Sequence, residues 1–212
     1  MKLDILCNYW DDPRGLMRLL ESPGLANITS TLHILDGQYC NHKGEAEYRQ
    51  ELTNEIYTNY NQRNWNGKIN YSTCKGLTQV EKRNKLWRNI ANTNPDFVIV
   101  LDSDEHVELN IDLFELKLKP LLMSESCCFN LEARHWDTDY LLPRLFKKYS
   151  EWRFKHIESH GSLYDLTRKN KEIINDRYNQ EPVKGFKILH DKEYRSKIRK
   201  ETDKKYQTVT NH

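Results

Sequence analysis

Glycine and proline are scarce, at 8 and 6 of 212 residues, which excludes a collagen-like chain or a disordered linker. No apolar run approaches the roughly 20 residues needed to cross a bilayer. Phe97 to Leu101 is among the longest. A dominant charge is missing as well: 33 Lys and Arg face 31 Asp and Glu, a net charge of +2. The five cysteines are odd in number and lack CxxC spacing, so neither a disulfide framework nor a zinc site is expected. Cys7, Cys40, Cys74, Cys127 and Cys128 read instead as reduced, mostly buried, intracellular thiols. The opening MKLDILCNYWDD has one Lys, a short apolar run and then acids, which is no secretory signal. A cytoplasmic protein without a transmembrane segment is expected.

What is present is a polar chain of 25.4 kDa, 30% charged, long enough for one domain with a full core. Charge is segregated: residues 146–212 hold 17 Lys and Arg against 10 Asp and Glu, and the first 145 residues carry the opposite excess. Such a basic third is either a solvated helix or a patch that attracts a polyanion or a nucleotide phosphate. Asn, Lys and Tyr are plentiful, the bias of an AT-rich genome such as a virus's.

Strands are expected at Lys2–Asn8, Ser30–Leu35, Lys68–Ser72, Phe97–Leu101, Ser126–Leu131 and Lys184–Leu189. Helices are expected at Gly15–Glu21, Glu45–Asn61, Thr78–Thr93 and Ile111–Leu122, with a basic helix or tail over Asp191–Tyr206. FVIVL, bounded by Pro95-Asp96 and Asp102, reads as a central parallel strand. The alternation of strands and helices predicts a single α/β domain with a mostly parallel sheet flanked by helices.

The sharpest local feature is LDSDE at 101–105. In an extended chain Asp102 and Asp104 point the same way and can converge on one cation. They follow the most buried strand, where open α/β sheets place ligands. Two hard oxygen ligands suit Mg²⁺ or Mn²⁺, unless the acids merely cap the next segment. In the helix before them, Val80, Leu86, Trp87, Ile90 and Ala91 form an apolar arc. Arg83 projects into it, with Asn84 and Gln79 on its edges. Arg83 therefore needs an anion: a core carboxylate, the acidic cluster or a nucleotide. Its replacement by Ala is expected to cost on the order of 3–5 kcal/mol. Asp36-Gly37 ends the second strand, where a carboxylate can accept from a ribose or a base edge.

These pieces, in this order, resemble the GT-A glycosyltransferases of the family-2-like group found in bacteria and phages. The matching stretches are Asn8-Tyr9-Trp10, HILDGQY with Asp36, QVEKRNKLW with Lys82-Arg83-Asn84, FVIVLDSDEHV, LLPRLFKK with Arg144, SHGSLYD with His160, and ILHDKEYR with His190. The resemblance implies a Rossmann-like GT-A domain over residues 1–190. Its nucleotide-sugar half would be about 1–105 and its acceptor half about 106–190, followed by a basic tail at 191–212. It implies a nucleotide-diphosphate sugar donor, most simply a UDP-sugar, and Mn²⁺ or Mg²⁺. Asn8, Tyr9, Trp10, Asp36, Gln79, Arg83, Asp102 and Ser103 would contact the donor. Asp102, Asp104 and His190 would hold the metal.

Glycosyl transfer builds negative charge on the departing diphosphate, which a divalent cation neutralises. If the reaction inverts, a base must take the acceptor's proton, and Asp137, Asp139, Glu158 and His160 are the candidates, with Glu158 and His160 favoured. The acceptor would be a glycan or a hydroxylated base in viral DNA. Two other readings stay open: a sugar- or nucleic-acid-binding protein without turnover, and a sugar-phosphate nucleotidyltransferase. The second would want a Gly-rich loop where Asp11-Asp12-Pro13-Arg14-Gly15 has one glycine.

Overall fold

The computed structural model describes residues 1–9, 12–37, 67–74, 76–77, 79–135, 137–148, 152–157, 160–165 and 178–190. Ten strands are described: β1 Leu3–Tyr9, β2 Thr31–Asp36, β3 Lys68–Thr73, β4 Phe97–Asp102, β5 Glu105–Leu109, β6 Cys128–His135, β7 Thr138–Lys147, β8 Trp152–Ile157, β9 His160–Asp165 and β10 Tyr178–His190. The helices are α1 Pro13–Leu20, α2 Leu25–Ile28, α3 Gln79–Asn89 and α4 Ile111–Leu118, the last running into a 3₁₀ turn at Lys119–Met123. The expected helix at Glu45–Asn61 and the basic segment from Asp191 lie outside the described residues.

Eight strands form one mixed sheet in the order β3-β2-β1-β4-β7-β6-β10-β5, and β8 and β9 form a separate hairpin. β1, β2, β3 and β4 are mutually parallel, as are β6 and β10; β7 and β5 run against their neighbours. This is the mostly parallel α/β domain that the alternating pattern predicts. FVIVL is central, but it pairs in parallel with β1 and antiparallel with β7.

Continuous apolar runs form these strands because both faces of the sheet are covered. On one face Leu3, Ile5, Cys7 and Tyr9 pack with Leu16 and Leu19 of α1 and Phe114 and Leu118 of α4. On the other, Leu6, Val98 and Val100 pack with Leu86 and Trp87 of α3 and with Ile90 just after it. Cys7, Cys74, Cys127 and Cys128 are buried free thiols. Among the described residues no helix is long and apolar enough to cross a membrane.

Three expectations need correction. The Ile111–Leu122 helix leaves α geometry at Lys119, next to Pro120, whose nitrogen has no proton to continue the ladder. Strand β5 was not expected, since it starts inside the acidic cluster. The last strand is 13 residues long because a bulge between Val183 and Lys187 lets it bend past α4. Gly185 makes that bend at φ 95°, where a Cβ would lie 2.6 Å from the Phe114 nitrogen.

The chain passes from β1 outward through β2 to β3 and then returns to β4 on the other side of β1. That reversal opens a crevice at the carboxyl ends of β1 and β4, the place where open α/β sheets bind ligands.

Candidate active site

Asn8 and Asp102 are register partners at that crevice, with Tyr9 and Asp36 paired alongside on β1 and β2. Asn8 Nδ2 donates to Asp102 Oδ1 at 3.4 Å. Arg144 of β7 reaches Asp102 Oδ2 at 3.4 Å, and Arg83 of α3 stands 3.9 Å from the same oxygen. Burial pushes the Asp102 carboxyl up, but Arg144 and then Arg83, with hydrogen bonds from Asn8 and Arg144, bring it down to about 2.

The acidic cluster is not extended. Ser103 and Asp104 form a turn, so the alternation argument for Asp102 and Asp104 does not apply. The turn is pinned by Ser103 N–H donating to Asn8 O at 3.1 Å. It sits against the start of α1, where Gly15 is required: a Cβ there would meet Ser103 O at 2.5 Å. Glu105, just beyond the turn, folds back and accepts from the Asp102 backbone N–H at 2.8 Å. The buried carboxylate also accepts from Arg144 Nη2 at 3.1 Å. His190 Nε2 lies 2.7 Å from Glu105 Oε1, and its Nδ1 lies 3.1 Å from the Tyr140 hydroxyl.

On α3 and just after it the buried face is Lys82, Leu86, Trp87 and Ile90, whereas Ala91 is exposed. The helix is rotated from the expected arc, so that Lys82 closes its far edge. Arg83 is half-buried, pairs with Asp102 as expected, and lies over the Phe154 ring at 5.7 Å. Lys82 is fully buried, and its ammonium donates to Tyr9 O at 2.5 Å and Gly37 O at 2.8 Å. It thereby ties together the ends of β1 and β2. Asp36 beside them is buried and accepts from the Tyr71 hydroxyl.

Burial pushes Lys82 down to about 8 from 10.5, against the opposing pull of Cys74 and Asp36. The unfolded chain holds this proton up to 10.5 while the folded protein releases it near 8. Stability should therefore rise between those pH values and be lost again as pH falls through the lower one, by on the order of 3 kcal/mol. Urea unfolding across that range should show this rise in the wild type relative to Lys82→Met. Parallel pH profiles would place the ammonium in water.

Asn84 carries the β8–β9 hairpin. Its Nδ2 donates to Phe154 O at 2.8 Å and its Oδ1 accepts from Phe154 N at 2.5 Å, so the side chain acts as a neighbouring strand would. Asn84→Ala should cost about 1–3 kcal/mol and raise amide exchange at Phe154. Unchanged exchange would mean that the hairpin is held by packing alone.

Asn8, Tyr9, Asp36 and Asp102 thus stand at the ends of the adjacent strands β1, β2 and β4, with Ser103 and Asp104 in the turn that follows and Arg83 of α3 beside Asp102, whereas His190, at the end of β10, is joined to them through Glu105. Asp137 does not join them: it is exposed in the β6–β7 turn. Nearby Asp139 is held low by hydrogen bonds from Arg134 and Lys187. Trp10 and Glu158 lie outside the described residues, as do the side chains of Gln79 and His160. Glu105, Tyr140 and Arg144 were not picked out as site residues. A lone arginine within LLPRLFK was the available signal for Arg144, since a cation in an apolar strand needs a counter-charge.

The sheet order and the strand-end switch point define a Rossmann-like α/β protein with a mostly parallel central sheet flanked by helices. No protein-family model and no curated protein sequence matches the chain. Among solved structures, S. aureus TarS is similar over 70% of this chain and 28% of its own, at 11% identity and a TM-score of 0.45. A 4-diphosphocytidyl-2C-methyl-D-erythritol synthase from Anaerococcus prevotii covers 69% of this chain and 71% of its own, at 10% identity and 0.46. The glucosyl-3-phosphoglycerate synthase of Mycobacterium tuberculosis, solved with Mn²⁺, UDP and phosphoglyceric acid, covers 64% and 44%, at 17% identity and 0.38. The chain spans 28% of the TarS chain and 47% of its 1–349 form, well under two thirds of either. At such identities these proteins resemble the chain in backbone course alone.

Proposed function

We propose that the chain is a glycosyltransferase that moves a sugar from a nucleotide-diphosphate sugar, UDP-sugars foremost, to a hydroxyl acceptor. The observation that carries this reading is Asp102, a carboxylate at the β1–β4 switch point flanked by two guanidinium groups.

The donor set fits a divalent cation. Asp102 is 28% exposed, and its side-chain partners Asn8, Arg144 and Arg83 stand at 3.4 Å or beyond, so its oxygens retain accepting capacity. Beside it Asn8 Oδ1 is buried with no hydrogen-bond partner among the described residues. Those residues hold no group of three His, Cys, Asp or Glu side chains placed for a metal. One or two carboxylates completed by water and phosphate oxygens is the arrangement Mg²⁺ takes, and Mn²⁺ accepts the same oxygens. Asp102 and Asp104 would hold the cation, and His190 is the third ligand proposed for it. Bound there, it would supply Lewis-acid neutralisation of the departing diphosphate.

The chain's own groups account for the rest. Arg83 and Arg144 add fixed positive charge where the diphosphate leaves. Asn8, Tyr9 and Asp36 line the nucleoside side, and Lys82 fixes the spacing between their strands. Trp10, Gln79 and Ser103 complete the donor set. Residues 1–105 would form the nucleotide-sugar half and 106–190 the acceptor half, with 191–212 as a basic extension. The acceptor's proton would go to Glu158 or His160, or to Asp137. The acceptor is a glycan or a hydroxylated DNA base.

The test is release of nucleoside diphosphate from UDP-, GDP- and TDP-sugars with Mn²⁺ or Mg²⁺. Metal-dependent release from one donor class is expected. Salt-sensitive DNA binding without any turnover would favour the binding-protein reading instead.

A further inference from the structure

Glu105 has no part in the roles assigned above, yet its carboxylate is fully buried at the start of β5. A carboxylate leaves water only against partners that offset its desolvation. Here they come from three strands. Oε1 accepts from Arg144 Nη2 of β7 at 3.1 Å and from His190 Nε2 of β10 at 2.7 Å. Oε2 accepts from the Asp102 N–H of β4 at 2.8 Å.

We propose that Glu105 is a positioning residue that sets the tautomer of His190 and keeps Arg144 from closing over Asp102. The proposal deepens the nucleotide-sugar reading of this site and rests on it.

The tautomer follows from the acceptor. A carboxylate at Nε2 needs the ring proton there, which in the neutral ring leaves the Nδ1 lone pair facing the Tyr140 hydroxyl at 3.1 Å. His190 is in backbone register with Glu105 on one side and His135 on the other, which sets its ring beside the Glu105 carboxylate. Nδ1 is thereby held as an electron-pair donor, in the form that can bind a cation. Arg144 is divided in the same way. Its Nη2 is nearer to Glu105, at 3.1 Å, than to Asp102, at 3.4 Å. Without Glu105, the guanidinium is drawn into a tight bidentate pair with Asp102 and fills the oxygens that a cation would use.

The experiment uses the full chain with Glu105→Gln and Glu105→Asp, and Mn²⁺ alone as probe, read from the free-ion electron paramagnetic resonance signal. Glu105→Gln should bind Mn²⁺ 10- to 100-fold more weakly, with Glu105→Asp in between. Independently, ¹⁵N spectra of the wild type, with His190 assigned through His190→Gln, should show the Nε2–H form, and Glu105→Gln should shift it towards the Nδ1–H form. A folded Glu105→Gln with unchanged Mn²⁺ affinity and unchanged tautomer overturns the proposal. So does an Nδ1–H tautomer in the wild type, which decides the matter even if Glu105→Gln fails to fold. A wild type that binds neither Mn²⁺ nor UDP overturns the nucleotide-sugar reading itself, a result distinct from a Glu105 variant that behaves as wild type.

Discussion

Asp102→Asn is expected to lower turnover by on the order of 10³-fold while leaving the protein folded. The carboxylate sits at the end of β4, where both the diphosphate and a cation would meet it. Its stability role is modest because it is 28% exposed and its ion pairs are long, at 3.4 and 3.9 Å. Arg144 keeps Glu105 as a partner when the charge is removed. Arg144 and Arg83 hold the carboxyl down to about 2, so the stability it does contribute is present above 3.8 and lost as pH falls through the lower value. Asp102→Asn should remove that part of the acid dependence. Donor hydrolysis under metal titration, with melting curves in parallel, checks both halves. Wild-type activity without added metal in Asp102→Asn and Asp104→Asn would remove the metal assignment.

Arg144→Ala should be the most destabilising change, by about 3–5 kcal/mol. The loss leaves the buried Glu105 charge without its guanidinium. For a domain of this size, the melting midpoint should fall by roughly 10 °C. Replacing the pair together, as Glu105→Leu with Arg144→Met, should recover most of that loss, because no uncompensated charge is then left inside. Arg83→Ala should cost less, about 1–2 kcal/mol. It stands 3.9 Å from a carboxylate that Arg144 also serves, so the larger cost expected from the helix pattern passes to Arg144. Urea unfolding of the three variants ranks them. Equal losses for Arg83→Ala and Arg144→Ala would show that the two cations share the site evenly.

Much of the framework was readable because its signals are local. FVIVL and LDILC read as strands because both of their faces are buried, and Pro95 marks where α3 has ended. The switch point follows from the order of those elements, and with it the placing of Asp36 and Asp102. The Thr78–Thr93 pattern carried the helix but not its rotation. Lysine is normally exposed, so the period gave no reason to set Lys82 inside. Its burial depends on two carbonyls, Tyr9 O and Gly37 O, that belong to other strands.

The sequence by itself determined the class of fold, the end of the sheet where the proposed site lies, and the acidic residues after the central strand. Those follow from hydrophobic period and element order, which neighbouring residues encode. Only the tertiary structure decided which acid is buried and which partners each one meets. The Ser103–Asp104 turn sends Glu105 inward, and β7 and β10 bring Arg144 and His190 to it from 39 and 85 residues away. No local pattern sets such pairings. They arise because a buried carboxylate must find its counter-charges in space, wherever along the chain those lie.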